Sequence, residues 1–206
     1  MTRNTPKPMA GLVLCGGGST RMGKEKALLV VRGRPLVLHV AALLEQAADP
    51  VLLAPGRPGR LGQLGYREVQ DEVPGAGPLG GLVAGVAASP HSLLAVAAVD
   101  LPFASPAVFR LLADLHGGED AVVPRNASGP QPLHAAYATA ALPKLRAALA
   151  GRRLALQEVL ADLEVRWVGE DEWSAADPSG RFAVNLNRPE DLDLIENARG
   201  GLGSSM

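Results

Sequence analysis

The sequence predicts an α/β domain built on a mostly parallel sheet, and three observations carry that prediction. Residues 93–99 (LLAVAAV) are apolar without interruption, as expected of a central parallel strand covered on both faces. Short apolar runs of this kind alternate along the chain with stretches whose apolar residues recur at helical spacing, the pattern of successive strand–helix units. The run at 10–14 (AGLVL) ends in Cys15 and three glycines, Gly16, Gly17 and Gly18, where sheets of this type bind ligands.

With 206 residues, 47% of them hydrophobic, the chain is long enough for one sizeable core and short for two. A net charge of −1 gives no electrostatic reason to expect nucleic acid or an anionic membrane as a partner. Aromatic residues make up 3%, too few for a base-stacking surface. No apolar run reaches the ~18 residues of a membrane span, and residues 1–11 lack the apolar centre of a signal peptide. Cys15 is the sole cysteine, which excludes an intramolecular disulfide and an all-cysteine metal site, so a reducing cytoplasm is the expected compartment. Residues 1–8 are expected to be a disordered leader and 200–206 a disordered tail, flanking one domain at 9–199.

Residues 11–29, GLVLCGGGSTRMGKEKALL, organise the rest of the chain. A strand followed by glycines lets backbone N–H groups approach an anion closely. Arg21, Lys24 and Lys26 add cations suited to a polyphosphate, and Glu25 alone opposes them. Two familiar phosphate-loop patterns come close and fail. The stretch 18–24 satisfies the first seven Walker positions, but Glu25 stands where a magnesium-binding Ser or Thr is required. Gly16-x-Gly18 opens a dinucleotide fingerprint whose third glycine position is held by Arg21. The connection runs on to Gly33, far beyond the usual ~2–6 residues, as functional loops do.

Pro35 suits a helix N1 position, and Leu36, Val37, Val40, Leu43 and Leu44 form an apolar stripe behind it. His39 reads as a surface or packing residue of that helix. A strand at 51–54 precedes a Gly- and Arg-rich connection at 56–65, a weak strand at 66–69, and Asp71. The segment 74–81 (PGAGPLGG) opens a small-residue helix to about 88, whose N-terminus presents free N–H groups and a positive dipole end. The strand at 93–99 stops at Asp100, at the sheet edge where Mg²⁺ bridging nucleotide phosphates would find a hard oxygen ligand. A mere helix cap is less suited to Asp100, because Ser105 and Pro106 already supply the N-cap and N1 of the next helix.

Further on, 121–123 and 131–137 read as strands. His134 is expected to be structural, as an isolated His in a strand more often is, and phosphate monoesters are already ionised at neutral pH and need no strong base. Helical patterns span 139–150 and 154–163, separated by Gly151-Arg152-Arg153, whose arginines fit an anionic acceptor and a solvated turn equally well. An edge strand at 165–168 and a polar loop at 170–180 precede a last helix with Pro189 at N1.

As it stands, Leu-Cys-Gly-Gly-Gly-Ser-Thr-Arg-Met-Gly-x-x-Lys (residues 14–26) resembles the signature of nucleotidyltransferases with a glycosyltransferase-A-like fold, and most of all the molybdenum cofactor guanylyltransferases. D-x-x-x-G-x-G-P-L-x-G from Asp71, Asp-x-Pro at Asp100 and Asn-x-Asn-x-Pro-Glu-Asp from Asn185 are similar to three further segments of that family, in the same order. The resemblance implies a three-layer α/β/α domain of the nucleotide-diphospho-sugar transferase type, with a Rossmann-like sheet. It implies transfer of GMP from GTP to the terminal phosphate of molybdopterin, with release of pyrophosphate and with Mg²⁺ held by Asp100. Arg21 and Lys26 would stabilise the triphosphate and the leaving pyrophosphate. Leu14, Cys15, Gly16, Gly17 and Gly18, with Lys26, Asp71, Gly77, Pro78, Leu79, Asn185 and Asn187, would bind nucleotide or acceptor. Upstream and downstream molybdenum-cofactor proteins would be its partners.

Where the family commonly carries an Asn near the guanine, this chain has Ala54. Two other readings remain open at this level: a cytidylyl- or other nucleotidyltransferase of the same fold with another phosphorylated acceptor, and a non-catalytic nucleotide-binding protein. CTP-using relatives usually resemble Ala-Ala-Gly at the loop and a Ser-rich stretch at the second segment, so Cys15-Gly16-Gly17 and Gly77-Pro78-Leu79-Gly80-Gly81 favour guanylyl.

Overall fold

The computed structural model describes residues 7–16, 25–57, 59–186 and 191. Their central sheet has the strand order β5 (Arg67–Glu68), β4 (Val51–Ala54), β1 (Ala10–Leu14), β6 (Leu93–Ala98), β9 (His134–Ala138), β7 (Ala121–Asn126), β10 (Val165–Val168). The β5–β4, β4–β1, β1–β6 and β7–β10 pairs are parallel; β9 runs antiparallel to both its neighbours. A short strand β8 (Gly129–Pro130) folds back on β7.

Side chains alternate across this sheet, and the alternation divides the core in two. Ala10, Leu12 and Leu14 face α2 (Gly77–Ala88) and α4 (Leu142–Ala150), among Leu79, Leu82 and Leu145. Val13 and Cys15 face the opposite side, with Leu36 and Val40 of α1 (Leu36–Leu44) and Val108 and Phe109 of α3 (Pro106–Leu115). The result is the expected three-layer α/β/α sandwich. Helix α2 lies close on the sheet because glycines stand where its buried face meets β1. A Cβ at Gly85 would stand 2.4 Å from Leu12 Cδ2, and one at Gly81 2.7 Å from Leu14 Cδ2. That close approach brings the α2 N-terminus against the carboxyl ends of β1 and β4. Ser105 caps α3 as expected, its side chain accepting from the Val108 N–H at 3.4 Å, with Pro106 beginning the helix.

Several local expectations are corrected. The long connection after β1 closes with structure of its own: a 3₁₀ turn at Lys26–Leu28, then the hairpin β2 (Val30–Val31) and β3 (Arg34–Pro35), turned by Arg32 and Gly33 at positive φ. Pro35 therefore ends a strand and precedes α1, where the sequence put it inside the helix. The polar loop expected at 170–180 begins with a short helix, α6 (Glu170–Trp173), whose start is held by the Glu172 carboxylate accepting the Gly169 N–H at 3.2 Å. Trp173 is buried, donates Nε1–H to the Arg125 carbonyl at 2.8 Å, and meets the Phe182 ring edge-on. The strand expected at 131–137 is confined to β9, because Gln131 instead closes the β7–β8 hairpin through Asn126 and the Gly129 carbonyl. The remaining helical stretch expected at 154–163 is α5 (Leu156–Val159) continued by a 3₁₀ turn. No described helix is long and apolar enough to cross a membrane. Residues 1–6 of the expected leader and the whole expected tail lie outside the described residues.

Candidate active site

Strand β1 is the point at which the sheet changes direction: the chain goes from β1 to β4 on one side, and β6 flanks β1 on the other. Crevices of open α/β sheets form at the carboxyl ends of such strands. A cleft of about 520 Å³ lies there, lined by Leu14, Gly16, Ala54, Pro55, Gly56, Arg57, Arg60, Asp71, Gly75, Gly77, Pro78 and Gly81. Gly16 has no room for a side chain, since a Cβ would meet the Gly56 nitrogen at 3.0 Å and the Pro55 carbonyl carbon at 3.1 Å. Gly56 and Gly77 stand at φ 78° and 63°, conformations that favour glycine.

Asp71 is the acid of this cleft. Its carboxylate is buried against the first turn of α2, filling space that a Cβ at Gly80 would claim 3.0 Å from Oδ2. Burial pushes its pKa up, and Oδ1 has no hydrogen-bond partner among the described residues. A buried acceptor left in the wall of a cleft favours a ligand that brings donors. Arg57 and Arg60 line the same cleft, and sequence reasoning passed them over as part of a connection. Their signal was their place, directly behind the carboxyl end of a buried strand. Ala54 also lines the cleft, with its Cβ 3.1 Å from where a Cβ at Gly81 would be.

Lys26 and Asp100 meet beside this cleft. Lys26 Nζ stands 3.3 Å from Asp100 Oδ2, joining the phosphate-loop exit to the end of β6 across 74 residues of sequence. The β1–β6 register pairs Leu14 with Ala98, and the Val99 N–H donates to the Leu14 carbonyl, so Asp100 continues the edge alongside Gly16. Asp100 Oδ1 is buried without a hydrogen-bond partner among the described residues. One carboxylate with an open oxygen, next to a cation and a glycine loop, can hold a hard divalent cation that takes its other ligands from phosphate and water. No cluster of three or more acidic, histidine or cysteine side chains able to cage a metal occurs among the described residues.

The loop carrying Asp100 is held from two sides that the sequence did not connect. His39 Nε2–H donates to the Pro102 carbonyl at 2.8 Å, so His39 is a buried brace for this loop, not a surface residue. The Leu186 N–H donates to the Asp100 carbonyl at 2.8 Å, which returns the C-terminal segment, with exposed Asn185 next to it, to the Asp100 end of the site.

Other candidates fall elsewhere. The Cys15 side chain is buried in the α1 and α3 layer, and burial, with the nearby Glu68 charge, pushes its thiol up to about 12, so it is no nucleophile. Its backbone N–H donates to the Ala54 carbonyl at 3.1 Å. Pro78 lines the cleft, whereas Leu79 is fully buried behind it. Gly17, Gly18, Arg21 and Asn187 lie outside the described residues. Arg153 pairs with Asp162, which favours the turn reading of that arginine.

His134 is structural, as its isolation in sequence suggested. Its ring is fully buried, stacks on Phe109 with centroids 3.9 Å apart, and accepts the Ser105 N–H on Nε2 at 3.0 Å. Burial lowers its pKa from 6.5 to about 3. The unfolded chain therefore binds a proton below pH 6.5 that the folded chain refuses until about pH 3, so this stability is present above 6.5 and lost as pH falls. Denaturant titrations should show a loss on the order of 2 kcal/mol by about pH 5 from this group. His134→Gln, which keeps an acceptor for Ser105, should flatten the slope; equal slopes in the two proteins would refute the assignment.

Residues 11–168 match the family described as "MobA-like NTP transferase domain". Probable molybdenum cofactor guanylyltransferases from Pelotomaculum thermopropionicum and Chloroflexus aggregans are 33% and 36% identical to this chain, each over 196 residues. The alignments cover 93% and 91% of this chain, and 95% and 93% of those proteins. The crystal structure of molybdopterin-guanine dinucleotide biosynthesis protein A from Archaeoglobus fulgidus superposes with a TM-score of 0.80 at 26% identity, covering 92% of this chain and 97% of that one. A cleft at the β1 switch point, glycine at each close approach and a Lys–Asp pair at its edge accompany this likeness along nearly the whole chain, which therefore belongs to the MobA-like NTP transferase family.

Proposed function

We propose that this chain transfers the guanylyl group of GTP to the terminal phosphate of the molybdopterin (molybdenum) cofactor, releasing pyrophosphate, with Mg²⁺ beside Asp100. The names of its relatives support that acceptor, and one observation on this chain carries the choice of base. Asp71 offers the cleft a buried carboxylate whose Oδ1 has no hydrogen-bond partner among the described residues. Guanine presents two adjacent donors, N1–H and the exocyclic N2–H₂, whereas adenine and cytosine set their amino group beside an acceptor. A carboxylate fits the guanine edge best, and the desolvation that burial imposes on it is offset when those donors arrive.

The remaining residues supply position and charge. The Gly16 backbone lets the nucleotide approach β1, and Lys26, with Arg21, neutralises the triphosphate and the leaving pyrophosphate. The bound metal would add charge neutralisation at the phosphates, with Asp100 as its protein ligand. The acceptor phosphate attacks as an anion, so no general base is required, in keeping with a neutral, buried His134. Proteins that deliver the pterin and receive the product are its expected partners, and the cytoplasm its expected place.

The test is a binding panel of GTP, CTP, ATP and UTP with Mg²⁺, followed by pyrophosphate release on addition of molybdopterin cofactor. GTP should bind best and pyrophosphate should appear only with the pterin; a preference for CTP would overturn the guanylyl assignment. Ala54 adds no side-chain donor, so the margin for GTP should be modest. Ala54→Asn should widen it about tenfold, the worth of one hydrogen bond. It should also lower the melting temperature, because the added atoms crowd α2 at Gly81. An unchanged GTP margin in competition titrations would remove Ala54 from base reading.

A further inference from the structure

We infer that Arg60 and Glu25 form a clasp that positions Lys26, which makes Arg60 a positioning residue for nucleotide binding. Arg60 Nε and Nη2 hold the two Glu25 carboxylate oxygens at 2.8 and 2.6 Å, a bidentate pair across 35 residues of sequence. Arg60 Nη1 donates to the Pro55 carbonyl at 3.0 Å. Both side chains are about a quarter exposed, so water screens the pair only in part.

Its consequence follows from what it joins. Glu25 directly precedes Lys26, and its carbonyl accepts the Leu28 N–H at 2.9 Å to open the 3₁₀ turn on which Lys26 stands. Gly16, at the other end of the glycine stretch, rests on the Pro55–Gly56 backbone. Pro55, Gly56 and Arg60 thus hold the chain where it enters the phosphate loop and where it leaves it. The same residues wall the cleft beside Asp71. The clasp makes the base side of the cleft and the Lys26 ammonium one rigid frame, and a frame ordered before binding spares the ligand that ordering cost.

Glu25 also accounts for the departure from the Walker pattern: the carboxylate is turned to Arg60 and so is compatible with phosphates nearby. Removing it should weaken nucleotide binding, the opposite of what simple charge repulsion between Glu25 and phosphate would give.

The inference rests on the nucleotide reading above, and two measurements separate their failures. In calorimetric titrations with Mg²⁺–GTP, Glu25→Ala and Arg60→Met should each bind about tenfold more weakly, and the double variant no more weakly than either. The charge swap Glu25→Arg/Arg60→Glu should recover most of the loss. Wild-type affinity in Glu25→Ala, or losses that multiply in the double variant, would overturn the clasp and leave Arg60 as a direct ligand contact. In the free protein, hydrogen exchange at the Leu28 and Leu29 amides should quicken in Arg60→Met while the β1 and β6 amides keep their protection. Unchanged exchange there also overturns the clasp. A wild-type protein that binds no triphosphate refutes the nucleotide reading, and the exchange comparison then decides the clasp alone.

Discussion

Asp100→Asn should lose at least about a hundredfold in turnover while the protein melts within a few degrees of wild type. Asn keeps the size of the side chain and one oxygen, so the loop it belongs to should stand: the Asp100 carbonyl still receives the Leu186 N–H, and His39 still holds Pro102. What goes is the negative charge at the end of β6, with the buried Oδ1 that has no hydrogen-bond partner among the described residues. Several kcal/mol of transition-state stabilisation depends on charge neutralisation at the phosphates. In the proposed reaction, where that carboxylate would draw the divalent cation, the variant should still bind the triphosphate but react slowly. Steady-state kinetics at saturating Mg²⁺ and GTP, beside a melting curve, decide the matter. Near wild-type turnover would take the metal role away from Asp100.

Lys26→Ala should cost about a hundredfold in kcat/KM for the triphosphate, in both weaker binding and slower transfer. Lys26 is largely buried, its side chain 13% exposed, and it stands 3.3 Å from Asp100. In the proposed reaction, a cation held so near Asp100 would be placed to move onto phosphate oxygens as charge builds on the leaving pyrophosphate. Its removal also takes away the cation that Asp100 faces among the described residues, so a small fall in melting temperature should accompany the kinetic loss. Lys24, two residues earlier, lies outside the described residues, and Lys24→Ala should change kcat/KM by no more than about threefold. Equal effects at the two lysines would show that the loop supplies diffuse positive charge and no particular ammonium.

These expectations divide cleanly between local and distant information. The glycine run after β1, the apolar run of β6 ending at Asp100, the Ser105-Pro106 cap and the small-residue face of α2 were all legible in the sequence, because each is a pattern within a few turns or one strand. Periodicity, caps and glycine at close approaches are local rules, and strand runs buried on both faces imply the layered fold. The position of Asp100 at the carboxyl edge followed from the end of an apolar run, and so did that of Asp71 once the weak strand before it was recognised.

Only the tertiary structure decided which polar groups meet. The Lys26–Asp100 pair spans 74 residues, the Arg60–Glu25 clasp 35, and the His39 brace on Pro102 63. Cys15 and Leu79 belong to the motifs read as ligand-binding, yet their side chains turn into the core and away from the cleft, a choice made by strand and helix facing. α6 formed where a polar loop was expected because Trp173 found the Arg125 carbonyl, 48 residues away in sequence, and the Phe182 ring beyond the loop. Apolar burial is repetitive and leaves a period behind it, whereas a single hydrogen bond or ion pair between distant loops leaves none. The sequence by itself therefore determined the layers and the edge at which the site lies, and the packing of those layers decided which charges face each other across it.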